Sequence, residues 1–167
     1  MKSVAIIRHG IPEDAGPGQR DADRALTDDG ARAFEQAAKG LRTVLDPVHL
    51  IASSPLTRAV QTAEILARTY SGPAFIRTDA LAPGRRPKEL LNWLWQAPPN
   101  ETIALVGHEP DLGHLLSFAL GRVDWTFWHP GKGACALLSI TDNAEPGAAQ
   151  LEWCLTQGQL QALAPAP

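Results

Sequence analysis

The stretch "AIIRHGIPED", residues 5–14, runs from an apolar segment directly into an arginine, a histidine and a glycine. Residues 4–7 are apolar at every position, which is typical of a strand covered on both faces of a sheet. A guanidinium is costly to bury, so Arg8 at the end of such a strand must reach water or meet an anion. The polar groups that follow the other strands decide between these two possibilities.

Two later stretches repeat this pattern. Residues 50–52 end in Ser53-Ser54-Pro55, and residues 103–106 end in Gly107-His108-Glu109-Pro110. Helical patterns occupy residues 27–45, 54–70, 87–96 and 110–121, with Ser54 as a predicted N-cap. This alternation predicts an α/β fold, a three-layer α/β/α sandwich with a mostly parallel central sheet.

The last part of the chain predicts an antiparallel hairpin at the edge of the sheet. Residues 134–141 and 149–156 flank the turn-rich segment "DNAEPG" at 142–147. We expect one domain over residues 1–160, followed by a flexible tail at 161–167.

The composition, 44% hydrophobic and 20% charged, is that of a soluble globular protein. A net charge of −3 argues against a nucleic-acid partner. The apolar run at 4–7 is too short for a signal peptide, and no run approaches the roughly 18 residues that span a bilayer. Cys135 and Cys154 show no C-x-x-C spacing. We predict that both are buried thiols; the alternative is that they are neighbours across the hairpin. We therefore expect a cytoplasmic protein without a membrane partner; the oligomeric state stays open.

Ligands of open α/β sheets lie beyond the carboxyl ends of the strands. This rule brings Arg8, His9, Arg58 and His108 to one pocket, although they are far apart in the chain. Arg58 lies one turn into a helix whose free N–H groups favour an anion, and the planar guanidinium suits phosphate oxygens. The four side chains predict a phosphate site.

Three motifs carry a family resemblance: "RHG" (8–10), "SSPLTRAVQTAEIL" (53–66) and "GHEPDL" (107–112). Over residues 3–121 the chain resembles the histidine phosphatase superfamily, the phosphoglycerate mutase-like proteins. The short chain and the R-x-L-T-x-x-G pattern at 24–30 look most like SixA-type phosphohistidine phosphatases. The resemblance implies a phosphoglycerate mutase-like fold and a catalytic His9 that becomes phosphorylated. It also implies that Arg8, Arg58 and His108 hold the transferring phosphoryl group.

The chemistry of these residue types agrees with that implication. A neutral imidazole is available near pH 7, and two arginines with a second histidine stabilise charge on phosphoryl oxygens. No metal or other cofactor is needed. A zinc site is disfavoured because the two histidines of "HEPDLGH" (108–114) are six residues apart with a proline between them, unlike H-E-x-x-H.

The proton donor is the open question of the sequence. Many superfamily members are expected to carry a glutamate soon after the S-P-x-x-R helix, where this chain has Leu81-Ala82-Pro83. Glu109, directly after His108, is one alternative, as in acid phosphatases of the superfamily; Glu13 and Asp14 are weaker ones, and the site could also lack an acid. An alcohol leaves poorly without a proton, whereas imidazole needs far less help. The missing glutamate therefore favours a phosphohistidine substrate.

The loop at 11–26 is expected to roof the pocket, with Arg24 and Arg20 as candidate substrate contacts. Lys132, in the tryptophan-rich segment 125–133, is a further candidate; that segment either lines the pocket or packs at the surface. His49, His114 and His129 receive no role. The sequence predicts a metal-independent phosphatase that dephosphorylates phosphohistidine in a partner protein through His9. The alternatives are a phosphatase of a small phosphomonoester metabolite and a non-catalytic phosphate-binding module.

Overall fold

The computed structural model describes residues 1–98, 101–141 and 145–166. Six strands form one sheet in the order β3-β2-β4-β1-β5-β6. Strands β1, β2, β3 and β4 pair with one another in parallel. Strand β5 pairs antiparallel with both β1 and β6. The strands are β1 (Lys2–Arg8), β2 (Leu50–Ser53), β3 (Ala74–Arg77), β4 (Thr102–Gly107), β5 (Cys135–Ile140) and β6 (Gln150–Leu155).

Five α-helices cover the two faces of this sheet. They are α1 (Asp28–Val44), α2 (Thr57–Tyr70), α3 (Pro87–Gln96), α4 (Asp111–Gly121) and α5 (Gln157–Ala162). Helices α1, α2 and α5 contribute Phe34, Leu66 and Leu160 to the core on one face. Helices α3 and α4 contribute Leu91 and Leu115 to the core on the other. The predicted three-layer sandwich with a mostly parallel sheet is confirmed.

Strand β1 is the centre of both cores. Ala5 and Ile7 belong to the core under α1 and α2, and Val4 and Ile6 to the core under α3 and α4. All four are fully buried because successive side chains of a strand point to opposite faces of the sheet. The uninterrupted apolar run is thus a consequence of two covered faces.

Two elements escaped the sequence analysis. Strand β3 lies at the sheet edge and is largely exposed, and the sequence analysis did not predict a strand at its short apolar stretch, residues 74–76. Helix α5 extends to Ala162, beyond the predicted domain end at residue 160, and a Thr156–Gln159 capping box starts it. A methyl group at Gly40 of α1 would overlap the Leu160 carbonyl oxygen, so the two helices pack backbone to backbone.

The predicted hairpin is present as the β5–β6 pair, with residues 142–144 of its turn lying outside the described residues. Cys135 is buried and Cys154 is exposed, and both are free thiols. The prediction that Cys154 is buried was wrong, because β6 is an edge strand with much of its surface exposed. Across the described residues, no helix has both the length and the apolar character to cross a membrane.

Candidate active site

The carboxyl ends of β1, β2 and β4 meet at one pocket. The parallel register sets Arg8 beside Gly107 and Ser53 beside Val106, so the residues that follow these strands converge. The pocket has a volume of about 280 Å³ and takes in seven of the candidate residues of the sequence analysis, but not Arg20, Glu13 or Asp14. Its lining consists of Arg8, His9, Pro12, Asp21, Arg24, Arg58, Pro83, His108, Glu109 and Lys132.

The His9 imidazole is held by both of its ring nitrogens. Nδ1 lies 2.7 Å from the Gly10 carbonyl oxygen, which only accepts, so Nδ1 carries the proton. Nε2 then presents its lone pair, and the Nε–H of Arg58 donates to it at 3.2 Å. Burial, reinforced by the charges of Arg58, Arg8 and Lys132, lowers the pKa of His9 to about 4. His9 is therefore a neutral imidazole whose free electron pair is on Nε2.

A threonine that sequence reasoning missed secures the backbone beside His9. The Gly10 N–H donates to Thr62 Oγ1 at 3.0 Å, and the Thr62 hydroxyl donates to the Arg58 carbonyl at 2.7 Å. Thr62 is the last residue of the S-P-x-x-R-A-x-x-T stretch, so its fixed spacing from Arg58 was the available signal.

Each of the three guanidinium nitrogens of Arg58 donates one hydrogen bond within the protein. Besides its bond to His9, Nη1 donates to the Asp21 carbonyl at 2.8 Å and Nη2 to Asp21 Oδ2 at 2.9 Å. Arg24 Nη1 donates to the other carboxylate oxygen of Asp21 at 3.0 Å. Hydrogen bonds from Arg24 and Arg58 hold the pKa of Asp21 below its usual range. The loop after β1 thus supplies a carboxylate that offsets the positive charge of the pocket.

Sequence reasoning did not single out Asp21. Asp21 belongs to a short 3-10 turn, Asp21–Asp23, within a loop that carries no hydrophobic periodicity. Arg20, one of the candidate substrate contacts, pairs instead with Asp23 on the surface and does not line the pocket.

His108 is buried against His9, with their ring centroids 5.1 Å apart. Its Nε2 lies 2.7 Å from Ser54 Oγ, and its buried Nδ1 has no hydrogen-bond partner among the described residues. Burial, followed by the influence of His9 and Arg58, lowers the pKa of His108 to about 3. The prediction that Ser54 is the N-cap of α2 was wrong, because the helix begins at Thr57. The Ser54 hydroxyl contacts His108 instead.

The segment at 125–133 anchors the strand end that carries Arg8 and His9. Arg8 Nη1 donates to the Pro130 carbonyl at 2.8 Å, and the Gly133 N–H donates to the carbonyls of Arg8 and His9. Arg8 Nε is buried without a partner in the described residues. Lys132 reaches the pocket lining, whereas Trp125 and Phe127 are exposed at the surface.

Glu109 is the carboxyl group that the pocket places beside His108. Its Oε1 lies 2.8 Å from Nδ1 of His129, and its Oε2 is buried without a partner in the described part of the chain. The sequence analysis left His129 without a role, and this contact corrects that omission. Glu13 and Asp14 are exposed and do not line the pocket. Within the described ranges, no cluster of three His, Cys, Asp or Glu residues is placed to hold a metal ion.

Comparison with known proteins identifies the family. A family model for the histidine phosphatase superfamily, branch 1, matches residues 4–82, which include the RHG motif and Arg58. The chain belongs to the histidine phosphatase superfamily. An uncharacterized protein of Picosynechococcus sp. is 42% identical over 110 residues, which are 65% of this chain and 67% of that protein.

Solved structures with the same fold include SixA proteins. The protein histidine phosphatase SixA in complex with tungstate matches with a TM-score of 0.81 and 22% identity, over 95% of this chain and 99% of that one. A Nakamurella multipartitia protein assigned to the phosphohistidine phosphatase SixA matches with a TM-score of 0.74 and 27% identity, over 92% and 95% of the two chains. The fold is shared more widely: an Entamoeba histolytica phosphoserine phosphatase variant in complex with phosphoserine matches with a TM-score of 0.70 and 17% identity, over 96% and 100%.

Proposed function

We propose that the protein hydrolyses phosphohistidine in a partner protein by way of a covalent phosphoryl group on His9. The observation that carries this proposal is the state of His9: a neutral imidazole, with Nδ1 bonded to the Gly10 carbonyl and the Nε2 lone pair inside a cationic pocket. Burial at the end of β1 keeps this ring uncharged, as a nucleophile requires.

The reaction runs in two displacements at phosphorus. The Nε2 lone pair of His9 forms a P–N bond while the bond from phosphorus to the substrate ring breaks. That ring carries a proton on its other nitrogen, so it keeps the electron pair and leaves as neutral imidazole. The phosphorylated His9 ring then bears a positive charge, which the Gly10 carbonyl stabilises through Nδ1–H. Water attacks phosphorus next, the new P–N bond breaks with its electron pair returning to Nε2, and both protons of the water leave with inorganic phosphate as H2PO4−.

The neighbouring donors bind the phosphoryl oxygens during both steps. Arg8 and Arg58 supply guanidinium N–H groups, and His108 supplies its unpartnered Nδ1. Charge-assisted hydrogen bonds of this kind contribute about 1.5–3 kcal/mol each. They act where negative charge is spread over the transferring group, so they stabilise the transition state of phosphoryl transfer.

Two features favour phosphohistidine as the substrate. The position where many relatives are expected to carry a glutamate proton donor holds Leu81-Ala82-Pro83, and imidazole is a better leaving group than an alcohol. The chain also resembles SixA along nearly its whole length. A cytoplasmic location stays a prediction of the composition and the free cysteines.

A second candidate is a phosphatase of a small phosphomonoester metabolite. Glu109 favours it, because a carboxyl group lining the pocket can protonate an alkoxide leaving group. A non-catalytic phosphate-binding module is disfavoured, since a histidine that only binds phosphate gains from carrying a proton. The pKa of His9 is lowered instead.

Assays with three substrates distinguish these functions: a phosphohistidine peptide, phosphoserine and para-nitrophenyl phosphate. Turnover of the peptide above both esters supports the proposal, and turnover mainly of the esters supports the metabolite phosphatase. If none of the three substrates is hydrolysed, the non-catalytic phosphate-binding module is favoured. Rapid quenching followed by mass spectrometry should find phosphate on His9, and active enzyme without any phosphate on His9 would overturn the covalent mechanism.

A further inference from the structure

We propose that His129 is a positioning residue for Glu109 and that it exchanges protons between this carboxyl group and solvent. This inference rests on the proposed function, because it concerns the proton that a phosphate ester needs when it reacts at His9. It gives the pocket a working acid in place of the glutamate missing at residues 81–83.

The contact joins an enclosed group to an exposed one. The Glu109 side chain is 15% exposed and the His129 side chain is 69% exposed, and 2.8 Å separates Oε1 from Nδ1. His129 is the sole hydrogen-bond partner of Glu109 in the described part of the chain. Glu109 therefore lines the pocket and is joined through this imidazole to the exposed surface of the protein.

The segment that carries His129 is held firmly against the pocket. The Pro130 carbonyl accepts from Arg8, and the Thr126 hydroxyl donates to the Trp128 carbonyl at 2.7 Å. Any side chain at Gly113 on α4 would overlap Thr126 and the Trp128 carbonyl, so this segment packs directly on the helix that follows Glu109. The imidazole is thereby fixed where it meets the carboxyl group.

One proton enters and one leaves in each turnover of an ester. As His9 Nε2 bonds to phosphorus and the P–O bond breaks, Glu109 gives its proton to the leaving oxygen. His129 takes a proton from water, and its transfer from Nδ1 to Glu109 Oε1 restores the acid. The other charged or titratable groups lining the pocket are Arg8, His9, Asp21, Arg24, Arg58, His108 and Lys132.

The test compares His129→Gln and His129→Ala with the wild type in kcat/KM against pH, on phosphoserine and on a phosphohistidine peptide. Glutamine keeps a hydrogen-bond donor for Glu109 but cannot take up a proton. His49→Gln is the matched control: its exposed imidazole accepts from the Thr102 N–H at the opposite end of the sheet. The parameter kcat/KM is chosen because it includes phosphoryl transfer to His9 but not the later attack of water.

We expect His129→Gln to lower kcat/KM for phosphoserine about tenfold, with the peptide changed less than twofold. The pH dependence of the phosphoserine rate should also change, because the glutamine in contact with Glu109 cannot take up a proton. His129→Ala should lower kcat/KM for phosphoserine further, and free imidazole added to the assay should restore part of that activity. His49→Gln should behave as the wild type.

Three results would overturn the role of His129. These are a wild-type pH profile in His129→Gln, equal slowing on both substrates, and a wild-type enzyme that turns over the peptide but no phosphoserine. Failure of the proposed function looks different, since the wild type would then leave the phosphohistidine peptide intact or would carry no phosphate on His9.

Discussion

The Nε–H of Arg58 donates to Nε2 of His9 over 3.2 Å, although 49 positions separate the two residues in the chain. Since the Gly10 carbonyl holds Nδ1, the ring cannot flip without losing both hydrogen bonds. The nitrogen that we propose as nucleophile is thus oriented before substrate arrives. An incoming phosphoryl group takes over the Arg58 donor, because Nε2 loses its lone pair when it bonds to phosphorus.

Replacing His9 with alanine should abolish turnover of every substrate by at least about a thousandfold, because no other group can form the covalent intermediate. The fold should persist, since the side chain lies at a strand end beside a pocket. Phosphohistidine-peptide hydrolysis measures the loss, and circular dichroism with binding of tungstate checks that the pocket is intact. Rates like those of the wild type would remove His9 from the mechanism.

Replacing Glu109 with glutamine should slow phosphoserine hydrolysis about a hundredfold while affecting the phosphohistidine peptide far less. The reason is that glutamine cannot donate a proton to an alkoxide, whereas a departing imidazole needs little help. The ratio of the two kcat/KM values measures the effect. Equal slowing on both substrates would show that Glu109 acts on phosphoryl transfer itself.

Acid should destabilise the protein through His9 and His108, whose pKa values are about 4 and about 3 in the folded chain. Both lie below the ordinary value near 6.5, so between these values the unfolded chain binds more protons and stability falls as the pH drops. Each ring should cost about 2 kcal/mol of unfolding free energy between pH 8 and pH 5.

Urea unfolding at pH 8 and at pH 5 tests this prediction. His9→Ala should lose about 2 kcal/mol less than the wild type over that interval, because its unfolded chain has one fewer imidazole to protonate. His49→Gln, which removes an exposed histidine, is the control for altered histidine content. The same pH dependence in His9→Ala and in the wild type would contradict the lowered pKa.

Replacing Asp21 with asparagine should strengthen inhibition by inorganic phosphate severalfold. The carboxylate competes with phosphate for Arg58 and Arg24, and an amide of the same size removes the charge and one of the two acceptor oxygens. Asp23→Asn is a matched control in the same turn, since Asp23 pairs with Arg20 outside the pocket. The measurement is the inhibition constant for inorganic phosphate. Unchanged or weaker inhibition in Asp21→Asn would show that Asp21 does not compete with phosphate.

Much of the architecture was predictable from local pattern. Residues 4–7, 50–52 and 103–106 are apolar without alternation, and they became neighbouring parallel strands because both faces of the sheet had to be covered. Helix α3 was predicted at its observed bounds, with Pro87 at its start. Strand β3 was missed: it has only four residues, and most of them are exposed at the sheet edge.

The sequence by itself predicted that Arg8, His9, Arg58 and His108 converge. Each of them ends or directly follows a buried strand, or lies in the first turn of the helix after it, and these strands end at one edge of the sheet. Only the tertiary structure decided which groups complete the pocket. Asp21 meets Arg58, and His129 meets Glu109, from irregular segments whose course no periodicity records. Periodic burial produces a periodic pattern of apolar residues in the sequence, whereas a hydrogen bond between two loops depends on the path of both backbones in space.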